Sequence, residues 1–261
     1  MAINDIDWLN LLLGSLILII PLLMFIYYKT GLAKPMVISM LRMGVQLFLV
    51  GFYLKYIFEW NLLWLNILWL IVMLNASSMT IYKRSGFKVK QFYIPILAGI
   101  IAGVALNIIV FDLLILGNQN FFNARILIPI AGMLIGNTLG ASYLGIKTCY
   151  SNISKDEERY KYALMLGANR QEAMFPYIAE SLKLAFNPTI ITNASIGLMW
   201  LPGMMTGQIL GGSDPLVAIK YQILIIVAIF AGSAITVLTS ILVAEKFAFG
   251  KNDLLKPNLF N

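Results

Sequence analysis

Arg42 and Gln46 stand one helical turn apart inside a long, mostly apolar run, and Asn75, Asn107, Asn137, Asn187 and Asn193 stand inside later ones. Polar groups in such surroundings are costly unless they bond a neighbouring helix or line a wet path. Near the interface, Arg42 can also snorkel toward water. These groups offer hydrogen bonding and one fixed positive charge, but little proton transfer. The chain has no histidine and one cysteine, Cys149. That excludes, within one chain, a three-histidine or four-cysteine zinc site, a histidine-based catalytic triad and a disulfide framework. Iron(II) favours imidazole, carboxylate or thiolate ligands. The one carboxylate clearly inside an apolar run is Asp112. Met204 and Met205 are thioethers, better suited to Cu(I). The residues thus define no dedicated iron cage, and any metal ligands stay unassigned. A weak path, or a chelated, organic or amphipathic solute, fits equally well.

Two further stretches invite a chemical reading. Gly140 to Thr148 nearly spells a phosphate-binding loop, but Gly145 and Lys147 are spaced wrongly and no β-strand precedes them. No nucleotide or other cofactor is expected in this chain, and it is not expected to be an enzyme. Pro202-Gly203-Met204-Met205-Thr206-Gly207-Gln208 interrupts regular helix. It reads as an ordinary loop or as an extracellular gate.

The elements that position these residues follow from composition. Of 261 residues, 60% are hydrophobic and 12% charged, with a mean hydropathy of +0.83. Soluble chains are about 25% charged, so this is an all-α integral membrane protein. Runs of about 20 apolar residues predict about seven transmembrane helices: Trp8–Tyr28, Met36–Phe58, Trp60–Ile81, Tyr93–Leu116, Ile126–Lys147, Leu184–Trp200 and Pro215–Val243. Asn187-Pro188 is expected to kink or delay the sixth. Most of the 19 Lys and Arg fall in alternate loops and the C-terminal tail. The positive-inside rule puts those on the cytoplasmic side, with the N-terminus outside and the C-terminus cytoplasmic. A single transmembrane domain over residues 1–261 is expected, with the bilayer as partner and no nucleic acid; in a membrane protein the net charge of +7 is read for where along the chain it lies. Gly99 and Gly103, and Gly132, Gly136 and Gly140, recur every four residues and predict close helix packing or a sliding surface.

One loop, about residues 148–183, is much longer than the rest, which is usually a functional sign. Ser154 to Glu157 and Asn169 to Glu172 both have the form of a helix capping box. Leu166-Gly167 marks a helix end between them. Tyr160, Ala163 and Leu164 share one face, as do Met174, Tyr177, Ile178, Leu182 and Ala185. Pro176 predicts a kink. The loop therefore reads as helix, Gly, helix: either an extension of two spans or an element with an apolar face that docks on a partner protein.

Tyr162 to Ala168, followed by Glu172-Ala173, resembles the EAA loop of ABC-transporter permeases, though its leading acidic pair, Glu157-Glu158, lies a turn early. The resemblance extends to Arg42–Leu47 with Gly51–Phe58, Lys83-Arg84-Ser85, Ile128–Met133 with Gly136-Asn137, and above all Leu201–Gly207 with Asp214–Ile223. On these motifs the chain is similar to the FetB family of permeases, of the iron-export type. The resemblance implies a permease subunit in the cell's inner (plasma) membrane, a homodimer paired with two copies of an ATPase that binds ATP and Mg. It implies coupling through Glu158, Arg159, Tyr162, Ala163, Leu166, Gly167, Ala168 and Glu172. It favours a gate at Pro202, Gly203, Met204, Met205 and Gln208, with Arg42, Gln46, Asn75, Asn137 and Asn193 as path candidates. Similar plant proteins are associated with aluminium tolerance, and one with UDP-glucose, so an ABC permease for a nucleotide sugar is an alternative to metal export. A transporter driven by an ion gradient is another, although a deep set of acidic residues or histidines is missing.

Overall fold

The computed structural model describes residues 7–87, 92–111, 123–250, 252–256 and 259. Among them the regular structure is helical, and the only β pairing is two isolated bridges, Ile196 with Trp200 and Phe249 with Leu255. The chain divides into two compact units.

The first unit carries α1 (Trp8–Ser15), a short 3-10 turn (Leu16–Leu18), α2 (Ile19–Tyr27) and α3 (Ala33–Trp60). The chain reverses between α2 and α3 at Lys29 and Gly31, both at positive φ. Trp8 meets Phe48 edge to face at 6.3 Å. No side chain of α1 or α2 is buried, and Leu12 and Ile20 are more than half exposed. In water such a surface drives association. In a bilayer it meets a solvent as apolar as itself.

The second unit holds α4 (Leu63–Ser85), α5 (Tyr93–Phe111), α6 (Ala124–Lys155), α7 (Glu157–Met165), α8 (Arg170–Ser195), nearly all of α9 (Gly203–Leu210), and α10 (Pro215–Ala248). α6 is central, packing on α4, α8 and α10, while α5 lies along α10. That last approach depends on missing side chains. A Cβ on Gly99 would lie 2.5 Å from the carbonyl oxygen of Thr236, and one on Gly103 2.5 Å from that of Gly232. The expected close packing of this glycine pair is therefore present. Gly136 and Gly140 have nothing comparable within 4 Å, and Gly132 approaches only Met73.

Among the described residues six helical stretches are long and apolar enough to cross a membrane: Trp8–Tyr27, Ala33–Trp60, Leu63–Ser85, Tyr93–Val110, Ala124–Lys155 and Pro215–Ala248. Leu184–Trp200, expected as a span, is not among them. Its residues end α8, which starts at Arg170 and runs unbroken through Pro176 and Pro188. Only about 18 Å of helix follows Lys183, and it carries Asn187, Thr189, Thr192 and Asn193. The helix stops at Ile196, and α9 begins at Gly203.

Ser154 does not cap a helix, contrary to its pattern. α6 continues to Lys155, because Tyr150 and Ile153 on its core face are fully buried and hold that turn helical. Asp156 precedes α7 and makes no side-chain cap. The near-phosphate-loop stretch, Gly140 to Thr148, is ordinary helix within α6.

Candidate functional site

Two regions of the second unit concentrate the residues singled out by the sequence. The first is the α7–α8 turn. Its geometry is set by local hydrogen bonds. The amide of Gly167 donates to the carbonyl of Leu164 (3.0 Å) and that of Ala168 to Ala163 (3.1 Å), the paired closure of a helix C-terminus. Gly167 has φ +95°, where a side chain is strained. Two residues on, the Asn169 side chain accepts from the Glu172 amide at 2.9 Å, and the Glu172 carboxylate accepts from the Asn169 amide at 2.8 Å. This is the expected capping box. Replacing Asn169 with alanine should cost about 1 kcal/mol of local stability. Faster hydrogen exchange at the Glu172 amide would register it, and unchanged protection would show that the cap contributes nothing.

The two predicted core faces hold: Tyr160, Met174, Tyr177 and Ala185 are buried, and Ala163, Leu164, Ile178 and Leu182 pack around them. Of the coupling candidates, Glu158, Arg159, Tyr162, Leu166, Gly167 and Glu172 are exposed, and Ala163 and Ala168 are half-buried. The sequence reading passed over Met165 (82% exposed) and Phe175 (72%), which with Tyr162 and Leu166 are exposed apolar residues on either side of the turn. Their signal was an apolar residue off the core-facing stripe.

Behind the turn, the C-terminal segment clips it in place. The Arg170 guanidinium pairs with the Asp253 carboxylate, its Nε donating at 2.8 Å, and lies over the Phe249 ring at 5.3 Å. The Tyr160 hydroxyl donates to the Asp253 carbonyl at 2.9 Å. Burial pushes the Tyr160 phenol up to about 12, so it stays a donor throughout the physiological range. Gly250 and Lys256 add backbone bonds to Leu254 and Ala248.

The second region is a cavity of about 420 Å³ between α6, α8, the start of α9 and α10. Met133 and Asn137 enter it from α6, Thr189, Thr192 and Asn193 from α8, and Gln222 and Ser233 from α10. Trp200 closes one wall, tied by its indole N–H to the Ser195 hydroxyl at 3.1 Å. Asn137 donates to the Met133 carbonyl at 2.8 Å, and Ser233 meets the Thr138 hydroxyl at 3.2 Å. Among the described residues no charged one lines the cavity.

Of the path and gate candidates, Asn137, Asn193, Pro202, Gly203 and Met204 line this cavity. Met205 is buried on another side of α9, and Gln208 lies further along that helix, away from the lining. Asn75 bonds the Ile71 carbonyl and the Tyr93 hydroxyl, joining α4 to α5. Arg42 and Gln46 are exposed on α3, in the first unit. Asn107 bonds the Gly103 carbonyl of its own helix at 3.0 Å. Asp112 lies outside the described residues. Among the described residues no three His, Cys, Asp or Glu side chains group as metal ligands. Sequence reasoning missed Gln222, Thr189, Thr192 and Trp200. The i, i+3, i+4 spacing of Thr189, Thr192 and Asn193 was a readable sign of one polar face.

Comparison with known proteins completes the picture. No solved structure matches the chain. It is 30% identical to the UPF0014 membrane protein YjkA of Bacillus subtilis, covering 97% of this chain and 99% of that one. It is 30% identical to the probable iron export permease protein FetB of Escherichia coli, covering 96% and 95%. It is 29% identical to the protein ALUMINUM SENSITIVE 3 of Arabidopsis thaliana, covering 99% and 96%. The family described as "Uncharacterised protein family (UPF0014)" matches residues 8–249. With that match spanning the apolar helices, the α7–α8 turn and the cavity alike, the chain belongs to the UPF0014 family of membrane proteins.

Proposed function

We propose that this chain is the membrane-spanning permease subunit of an ABC transporter that exports iron or another metal, powered by an ATPase in a separate chain. The α7–α8 turn carries this reading. It is a doubly capped turn that exposes the apolar residues Tyr162, Met165, Leu166 and Phe175 together with the charged Glu158, Arg159 and Glu172. α6, at 32 residues, rises about 48 Å against a hydrocarbon layer about 30 Å thick. It can thus carry the turn clear of the membrane, where a helix laid into a groove on the ATPase would be held by those apolar residues. Two copies of the chain would pair with two ATPases, which bind the ATP and Mg. Iron enters this reading through the name of the Escherichia coli relative.

The segment from Leu184 to Leu210, broken at residues 196–202, would cross as a discontinuous span, tolerated where it lines a cavity. That restores an odd number of crossings. It sets the N-terminus outside and the basic loops in the cytoplasm of a cell bounded by its inner membrane.

The test is co-purification with a candidate ATPase, then ATP hydrolysis in liposomes with Fe²⁺, other metals or nucleotide sugars. A stable complex stimulated by one ligand class is the expected result. Solute movement by the chain alone, with no ATPase present, would replace this reading with a gradient-driven one.

A further inference from the structure

We propose that the cavity between α6, α8 and α10 binds an uncharged, hydrogen-bonding solute, so that any metal it passes travels inside a neutral chelate. This deepens the permease reading and rests on it. The observation that points to a ligand is Gln222. Its side chain lines the cavity, the residue is 7% exposed, and its Oε1 has no hydrogen-bond partner. A buried amide oxygen without a partner is costly, and a small rotation of this cavity-lining side chain would present it to a donor brought by a solute. Asn137, Thr189, Thr192, Asn193 and Ser233 add neutral donors and acceptors around it. Met133, Trp200, Met204 and the isoleucines of α10 form apolar walls. The volume, about 420 Å³, is that of a small-molecule pocket.

The same walls argue against charged cargo. A bare Fe²⁺ leaving water favours carboxylate, imidazole or thiolate ligands, and none lines this cavity among the described residues. A diphosphate is held best by Arg or Lys, and neither lines the cavity among the described residues. The start of α9, at Gly203 and Met204, supplies only a partial positive charge. An amphipathic ligand whose shell hides the metal charge, while offering N–H or O–H groups, satisfies both the polar face and the apolar walls.

The experiment uses the full chain in lipid nanodiscs without any ATPase. Equilibrium dialysis compares three radiolabelled ligands: tris(acetohydroxamato)iron(III), which is neutral and carries N–H donors, free Fe²⁺ under anaerobic reduction, and UDP-glucose. The neutral complex is expected to bind at least about tenfold more tightly than the other two. Gln222→Met keeps the volume and removes the amide. It should weaken that binding by about tenfold, with size-exclusion behaviour unchanged. Gln222→Glu should weaken it too and bring in Fe²⁺ binding. Tighter binding of Fe²⁺ or UDP-glucose to the native chain, no binding of the neutral complex, or equal binding by native and Gln222→Met chains would each overturn the proposal. None of these outcomes touches the permease reading, which stands or falls on the separate co-purification.

Discussion

Gly103→Ala is expected to be among the most damaging single-methyl changes in the chain, lowering the stability of the second unit by about 3 kcal/mol. The new Cβ would meet the Thr236 side chain and lie 2.5 Å from the Gly232 carbonyl oxygen. A hydroxyl can rotate away, but a carbonyl built into α10 cannot. The two helices must separate, and Asn107, packed beside Gly232, must move with them. Gly136→Ala is the matched control. Nothing lies within 4 Å of its Cβ, so the chain's own fold should tolerate it and gain helix propensity, up to about 1 kcal/mol. Thermal unfolding in detergent compares the two. Equal midpoints would show that α5 and α10 do not touch through backbone.

On the permease reading, Gly167→Val should impair coupling to the ATPase while leaving membrane insertion intact. There is open space around the residue, so the obstacle is conformational. At φ +95°, a β-branched side chain costs about 1–3 kcal/mol, and the turn escapes that strain by leaving the helix closure made with Leu164 and Ala163. The exposed apolar residues before the turn then lose their fixed relation to α8. On the permease reading, ATP hydrolysis by the assembled transporter is expected to fall by at least about tenfold, with Gly167→Asn milder because asparagine tolerates the left-handed region. If the valine variant keeps hydrolysis within about twofold of native, the Gly167 closure is not what couples this turn to the ATPase.

Legibility in the sequence followed the range of the forces involved. The Gly167 closure and the Asn169–Glu172 box are local, each made within five residues, and their letters announced them. Six apolar spans were legible because lipid imposes one composition over about 20 residues. Ser154 misled because the packing of Tyr150 and Ile153 in the core outweighs a local cap. The sixth run misled because α8 is only partly apolar. Asn137 and Asn193 stood out as amides among aliphatics, but Gln222 did not. Whether an amide on α10 faces inward depends on the rotation of that helix, which the Gly103–Gly232 approach fixes across more than a hundred residues. The Arg170–Asp253 pair joins positions 83 apart in sequence, beyond any local pattern.

The polar inner half of α8 also bears on how the chain is made. A translocon releases a helix into lipid when its residues are apolar enough on their own. Thr189, Thr192 and Asn193 face the cavity, and their surroundings are completed by Gln222 and Ser233 of α10, which the ribosome delivers later. Until then the cavity face of α8 lacks one wall, and hydrocarbon offers nothing to a free hydroxyl or amide. On the reading that this segment crosses the membrane, α8 is expected to settle only when α10 arrives, out of the order of synthesis. Solvation that the first unit finds at once in lipid, this helix obtains from its own chain, one translated segment late.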